Sequence, residues 1–155
     1  MDNSLSELKI EQTIPAVEKI AALYAAAALR RPVRDLQRLE AMFRGSNVVR
    51  AAWDGSRLVG LLRGWTDGAF DGWVSDLAVH PAWQSKGVGK ALLATLDELG
   101  DGIQWGLFAS PLAKDYYGNH GWKSSDVAWL LPRQGWDPGE PLAWRERHLD
   151  LAELA

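Results

Sequence analysis

Cysteine is absent from all 155 residues. That removes disulfides, thiolate metal sites and a cysteine nucleophile from consideration. Histidine is scarce: His80, His120 and His148 are the whole complement, and their scatter argues against a metal site. Basic residues do not dominate either. Lysine and arginine together number 17 against 20 acidic residues, for a net charge of −3, so the chain as a whole offers no electrostatic footprint for nucleic acid. The opening Met1-Asp2-Asn3-Ser4-Leu5-Ser6-Glu7 lacks the basic-then-apolar layout of a secretory leader. The longest apolar-looking run, Ile20 to Leu29, falls well short of the ~20 residues that cross a bilayer. These absences predict a soluble, cytoplasmic protein with neither membrane nor nucleic acid as partner.

What is present suffices for a core. At 47% hydrophobic residues, a chain of this size buries roughly 68–70% of the surface it exposes when unfolded. No internal repeat or low-complexity linker interrupts it, which predicts one domain over 1–155. Tryptophan is abundant, with nine copies mostly on predicted strands, where filling a sheet–helix core is the simplest role.

Leu8 to Glu11 alternates as a short strand. Pro15 suits a first helical position, and Val17, Ile20, Tyr24 and Ala27 follow at helical spacing until Arg30-Arg31-Pro32 ends the run. Leu36, Leu39 and Phe43 mark a second helix closed by Gly45. Arg30, Arg31 and Arg34 cluster between the two, where arginines are commonly solvated or complement a helix dipole. Val48 to Trp53 and Leu58 to Trp65, joined by Asp54-Gly55, read as an antiparallel hairpin. Trp73 to Val79 is the next strand. A helix from Gly87 places Val88, Leu92, Leu96 and Leu99 on one face. Ile103 to Ala109 reads as a strand, Pro111 opens a short helix that breaks at Gly118, and Trp122 to Leu131 alternates weakly as a further strand. Pro132 to Pro141 reads as loop, and Leu142 to Ala155 as an amphipathic tail helix. This order predicts an α/β (α+β) fold: a mixed sheet with helices on both faces.

The chemistry is concentrated between the third of these long strands and the helix after it. Gln84-Ser85-Lys86-Gly87-Val88-Gly89-Lys90 opens that helix, whose first N–H groups lack internal partners and point outward. With the helix dipole they form a site for a phosphate or pyrophosphate. Two phosphate-loop patterns fail here. The dinucleotide fingerprint needs a small residue where Leu92 stands and an acid near Leu107-Phe108-Ala109; the P-loop needs Gly at 84 and a hydroxyl at 91, occupied by Gln84 and Ala91.

Val79-His80-Pro81-Ala82-Trp83-Gln84-Ser85-Lys86-Gly87-Val88-Gly89-Lys90-Ala91-Leu92-Leu93 resembles the cofactor motif of the GCN5-related N-acetyltransferase (GNAT) superfamily, V-x-P-x-x-[QR]-x-x-G-x-[GA]. Ala113 to Trp122, with Tyr116-Tyr117 inside it, is similar to that superfamily's A-x-x-F-Y-x-x-x-G-F segment. The likeness spans roughly Val48 to Trp129. Leu58 to Trp122 is most similar to small bacterial and plastid-type members acting on arylalkylamines or polyamines.

The resemblance implies the GNAT fold, with a mostly antiparallel sheet of six to seven strands and a V-shaped splay between the fourth and fifth. It implies acetyl-CoA as co-substrate, no metal, a small-molecule primary amine as acceptor, and direct attack without an acyl-enzyme. A peptide or protein amine, or a non-catalytic acyl-CoA-binding module, are the alternatives. Backbone of Ser85 to Lys90 would hold the pyrophosphate, and N–H groups of Leu77, Ala78 and Val79 would polarise the thioester carbonyl, each such donor worth ~3–4 kcal/mol. Tyr117 would protonate the leaving thiolate or simply pack. Asp76, on the face opposite Leu77 and Val79, would serve as base or only hydrogen-bond within the strand. His80 is a second base candidate or a loop residue. Ser110 stands where relatives carry Asn or Asp near the pantetheine, and Lys114 would meet the 3′-phosphate or remain solvated. Trp65 and Trp73 flank a hairpin turn and could line an aromatic acceptor pocket. Trp136 and Trp144 would bury a homodimer interface or dock the tail.

Overall fold

The computed structural model describes residues 7–110, 113–131 and 133–134. The predicted tail helix, with Trp144 and His148, lies outside them, as does Trp136 in the predicted loop before it. The chain divides into two compact units, Met1–Leu107 and Phe108–Ala155.

The first unit is built on a sheet of five strands in the order β1-β2-β3-β4-β5: β1 Lys9–Glu11, β2 Val48–Asp54, β3 Arg57–Thr66, β4 Asp71–Val79 and β5 Gln104–Gly106. The first four pair antiparallel and β5 joins β4 in parallel. The mixed, mostly antiparallel sheet matches expectation. Its strand count among the described residues is five, below the six to seven predicted.

Helix α1, Val17–Ala26, lays Ile20, Leu23 and Tyr24 against one face of the sheet. It starts two residues later than Pro15 suggested and stops well before Arg30. Its end is a Schellman-type turn in which Leu29 N–H reaches Tyr24 O, Ala28 N–H reaches Ala25 O, and Ala28 takes φ +53°. Helix α2, Leu36–Arg44, is capped by the Asp35 side chain on Arg38 N–H, and Gly45 follows it in a right-handed conformation. Leu39 and Phe43 join the α1 residues over Val49, Ala51, Leu61 and Ala78 to form the core of this face.

Helix α3, Val88–Ala94, covers the opposite face, where Val88 and Leu92 crowd the Cα of Gly60. The single long helix predicted here tightens into a 3-10 turn over Thr95–Leu99, where the Thr95 hydroxyl bonds back to Leu92 O at 2.6 Å.

In the second unit, α4 spans Lys114–Gly118, and Trp122 N–H folds back onto Tyr117 O. Trp122 to Leu131 forms no strand. Its alternation is broken by Lys123-Ser124-Ser125-Asp126, and Val127, Trp129 and Leu131 are exposed, Trp129 at 96%. Strand propensity without a partner strand does not hold an extended segment in a sheet.

Candidate active site

The site is built around the two edges of β4. Toward β3 the strand pairs from Thr66↔Gly72 to Gly60↔Val79. Toward β5 it pairs only at Asp71↔Gln104, Gly72↔Trp105 and Trp73↔Gly106. Each tryptophan ring of that junction covers a glycine on the other strand, Trp105 over Gly72 and Trp73 over Gly106. Beyond Trp73 no further β4–β5 pair forms among the described residues, as the predicted splay requires.

The register tells which amides face the opening. His80 N–H donates to Val59 O across the hairpin at 2.8 Å. Antiparallel pairing alternates, so Ala78 N–H also turns toward β3, while Leu77 and Val79 N–H turn to the open edge. Of the three amides expected to line the opening, Ala78 is therefore occupied within the sheet.

The loop after β4 is shaped by local bonds. His80 Nδ1 accepts from Ala82 N–H at 3.1 Å and caps the turn Pro81–Trp83, which places His80 in the loop's framework. The Gln84 side chain returns to Val79 O at 3.1 Å. Ser85 and Gly87 both take positive φ, +61° and +88°, and Gly87 caps α3 while accepting the first helical bond from Ala91. The N–H groups of Val88, Gly89 and Lys90 are left in the helix's first turn without internal partners. Lys86 Nζ lies over the buried Trp83 ring at 5.6 Å, and Lys90 is exposed.

Asp76 faces the α1–α2 side, 1% exposed. Oδ1 accepts from Arg31 Nε at 2.6 Å; Oδ2 accepts from Arg63 Nε at 2.5 Å and Tyr24 Oη at 2.7 Å. Burial alone would raise this carboxyl, but the Arg31 charge, the Arg63 bond and charge, and the Tyr24 hydroxyl together hold it below the usual carboxylate range. Tyr24 in turn is pushed well above the usual phenol value by burial and by the Asp76 charge. Arg31, expected to be solvated or to complement a helix dipole, is instead an inward ion-pair partner. Arg63, Tyr24 and Ser75 are further members of this network that the sequence did not flag. Gly64 within a buried strand was the one available signal, since such a glycine often marks a bulge.

In the second unit Tyr117 is partly buried between Tyr116 and Trp122, edge to face with ring centroids 5.3 and 5.8 Å away. Burial, and then the neighbouring Tyr116, push its phenol up to about 12, and among the described residues its hydroxyl has no hydrogen-bond partner. Tyr116 stacks on His120, whose Nδ1 lies 2.6 Å from Tyr116 O. Ser110 O accepts from Ala113 N–H ahead of α4, and Lys114 is the first residue of that helix. Trp65 is 44% exposed, with the Arg63 guanidinium 5.7 Å from its ring.

Among the described residues, no group of three or more His, Asp or Glu is placed to hold a metal ion, and no helix is long and apolar enough to cross a membrane.

Residues 45–124 match the family model of the acetyltransferase (GNAT) domain. No curated protein matches the chain. Among solved structures, the chain is similar to a protein of unknown function, probable acetyltransferase, from meticillin-resistant Staphylococcus aureus: 19% identity, TM-score 0.72, covering 82% of this chain and 99% of that one. A GNAT family acetyltransferase from Streptococcus pneumoniae matches at 24% identity and TM-score 0.62, over 81% and 98% of the two chains. A ribosomal-protein-alanine N-acetyltransferase from Brucella melitensis matches at 19% identity and TM-score 0.62, over 82% and 99%. At these identities the structures speak for the fold.

Proposed function

The chain belongs to the GNAT acetyltransferase family, and from that premise we propose that it transfers acetyl from acetyl-CoA to the primary amine of a small molecule, arylalkylamine or polyamine-like. The observation that carries this reading is the open edge of β4. Among the described residues Leu77 and Val79 present unpaired amides beyond the last β4–β5 pair, and the strand leads through a self-bonded turn to the outward first-turn N–H groups of α3. An acyl-CoA fits such a surface. Its pantetheine amides need a strand edge to pair with, and its pyrophosphate needs outward N–H groups at a helix start.

When bound, acetyl-CoA supplies an activated thioester. The chain's own groups then have three tasks. Ser85 to Lys90 hold the pyrophosphate through backbone N–H groups, with Lys90 adding charge. Leu77 or Val79 N–H stabilises the oxyanion as the amine attacks, and preorganised donors of this kind are usually the largest catalytic contribution. Tyr117 donates its proton to the departing thiolate. A phenol raised to about 12 holds a proton at neutral pH and so has one to give, while the rise makes it a weaker acid than a free phenol. The amine loses its proton through water. Asp76 acts by positioning, as argued below.

Free-thiol release from acetyl-CoA across a panel of arylalkylamines, polyamines, amino acids and peptides tests the proposal. Turnover is expected with an arylalkylamine or polyamine. Tight acetyl-CoA binding without turnover on any amine would replace this reading with a non-catalytic acyl-CoA-binding module. Turnover confined to peptides would move the acceptor to a peptide or protein amine.

A further inference from the structure

The antiparallel register of β3 and β4 slips by one residue. Arg63 opposes Asp76 and Gly64 opposes Val74, so Ser75 has no opposite number and forms a β-bulge. The bulge presses β4 onto β3: a Cβ added at Gly64 would stand 2.1 Å from Trp73 O and 3.2 Å from Val74 Cα. Only glycine leaves that space. The extra residue is then gripped from two sides. Arg31 Nη2 donates to Ser75 O at 2.8 Å, and Arg63 Nη2 donates to Ser75 Oγ at 2.9 Å. The same two guanidiniums place their Nε atoms on the two oxygens of Asp76. Arg63 Nη1 also reaches Ser46 Oγ at 3.1 Å, and Arg31 Nη1 reaches Arg30 O at 2.6 Å. Four parts of the fold therefore converge on one carboxylate and one bulged residue: α1 through Tyr24, the α1–α2 connection through Arg31, β3 through Arg63, and β4 itself.

Holding β3 against β4 does not require this. Two arginines taken from water carry a desolvation penalty that a well-packed apolar pair avoids, and such a pair often stabilises as well or better. What the guanidinium fork adds is direction, because its planar donors fix a carboxylate and a second acceptor at once. The position of the bulge gives that direction a use. Ser75 lies two residues past Trp73↔Gly106, the last pair between β4 and β5, and two residues before Leu77, the first amide proposed to face the acyl group. A bulge bends its strand and raises its twist, so its geometry sets how β4 leaves β5 and where the Leu77 and Val79 N–H groups point.

We propose that Arg31, Arg63 and Asp76 are positioning residues for acetyl transfer: they clamp the Ser75 bulge, fix the aim of the open-edge amides of β4, and tie that aim to the α1–α2 connection through Arg31. The proposal rests on the reading of β4 as the acyl-donor strand.

Arg31 is the member to replace, because it is partly exposed, at 24% of its side chain, and its loss spares the buried core. Steady-state kinetics with acetyl-CoA and the best amine of the panel are measured for Arg31→Gln and Arg31→Lys. Amide hydrogen exchange at Asp76 and Ala78, which face β3, is measured in the unliganded chain. Arg31→Gln is expected to lower kcat about 10- to 100-fold, the scale of a misaimed catalytic group. KM for acetyl-CoA should change less than about threefold, and exchange at the two amides should quicken about tenfold. Arg31→Lys restores the charge without the fork and should stay close to the glutamine variant. Wild-type kcat in Arg31→Gln, a loss carried by KM alone, or full recovery with lysine would each overturn the clamp. A move of the acidic limb of the kcat/KM profile in Arg31→Gln would overturn it too, since that limb would then belong to Asp76 as a base. If the native chain turns over no amine, the proposed function falls first. Unchanged exchange in Arg31→Gln would then sink the clamp on its own.

Discussion

Asp76 in β4 and Tyr117 in α4 are both groups of a kind that could move a proton in acetyl transfer, the one as acceptor and the other as donor, and their surroundings are built in opposite ways. The Asp76 carboxylate accepts from Arg31, Arg63 and Tyr24 in a site sealed from solvent, and its pKa is held down. The Tyr117 hydroxyl meets no partner among the described residues, and its pKa is driven up. A general base needs an accessible lone pair and a pKa near the working pH; Asp76 has neither. A general acid needs a proton it keeps at neutral pH and a hydroxyl not already committed, and Tyr117 has both. Saturation of hydrogen-bonding capacity, more than burial or residue type, is what sets the two groups apart.

The strongest way to break this comparison is to remove the saturated member. Asp76→Ala leaves two guanidiniums and the Tyr24 hydroxyl without their common acceptor. Removing one partner of a buried ion pair typically costs about 3–5 kcal/mol, and the partial exposure of Arg31 points to the lower end. Urea denaturation of the variant against the native chain measures it. A loss below about 1 kcal/mol would mean that the network relaxes easily and does not organise β4.

Removing the unsaturated member should do the reverse. Tyr117→Phe deletes one hydroxyl with no partner to orphan, so stability should move by less than about 1 kcal/mol. The proposed acid is lost, and kcat should fall about a hundredfold, equivalent to ~2.7 kcal/mol of barrier. Acetyl-CoA binding followed by calorimetry should change little. Because burial pushes the phenol up to about 12, it stays protonated through neutral and mildly alkaline pH. The native profile should therefore show no alkaline loss assignable to it below about pH 10. An alkaline limb below that value that vanishes in Tyr117→Phe would contradict the buried-phenol picture.

A smaller effect sharpens the contrast through pH. The folded Asp76 is depressed relative to its unfolded value, so its contribution is complete above the ordinary carboxyl pKa of ~3.9. It is lost as pH falls through that value toward the lower folded one. Denaturation midpoints should thus decline more steeply on acidification for the native chain than for Asp76→Ala. Parallel acid profiles would show that other carboxylates dominate.

The elements of this site differ in how readable they were, for physical reasons. The turn and helix start at Gln84 to Gly89 were readable because a strand end, a proline turn and glycines at a helix start are local features. Asp76 was correctly placed off the Leu77–Val79 face because alternation is also local. The bulge at Ser75 left no trace in β4, since Val74, Asp76 and Ala78 are all buried and alternate as an unbroken strand would. Register is a property of two strands together, and only Gly64 on the partner hinted at it. Arg31 was misread for a similar reason: dipole arguments consider one helix end, whereas its partners come from β4, 44 and 45 residues away. The weak alternation of Trp122 to Leu131 misled in the other direction by suggesting a strand where no partner pairs.

The smallest expected effect tests the rigidity between two members of the Asp76 network. Tyr24 and Arg31 lie on either side of Ala28, which ends α1 at φ +53°, a conformation that costs a non-glycine residue roughly 1–2 kcal/mol. Glycine removes that strain but gives back part of the gain through the greater freedom of its unfolded chain. Ala28→Gly should therefore stabilise the chain by a net of about 0.5–1 kcal/mol in urea denaturation. The bonds of Arg31 to Asp76 and Ser75 do not depend on the strain, so kcat should stay at the native level. A gain in stability accompanied by a fall in kcat would show that the tight left-handed turn itself holds Arg31 in place. The clamp would then begin in the helix end and not in the carboxylate.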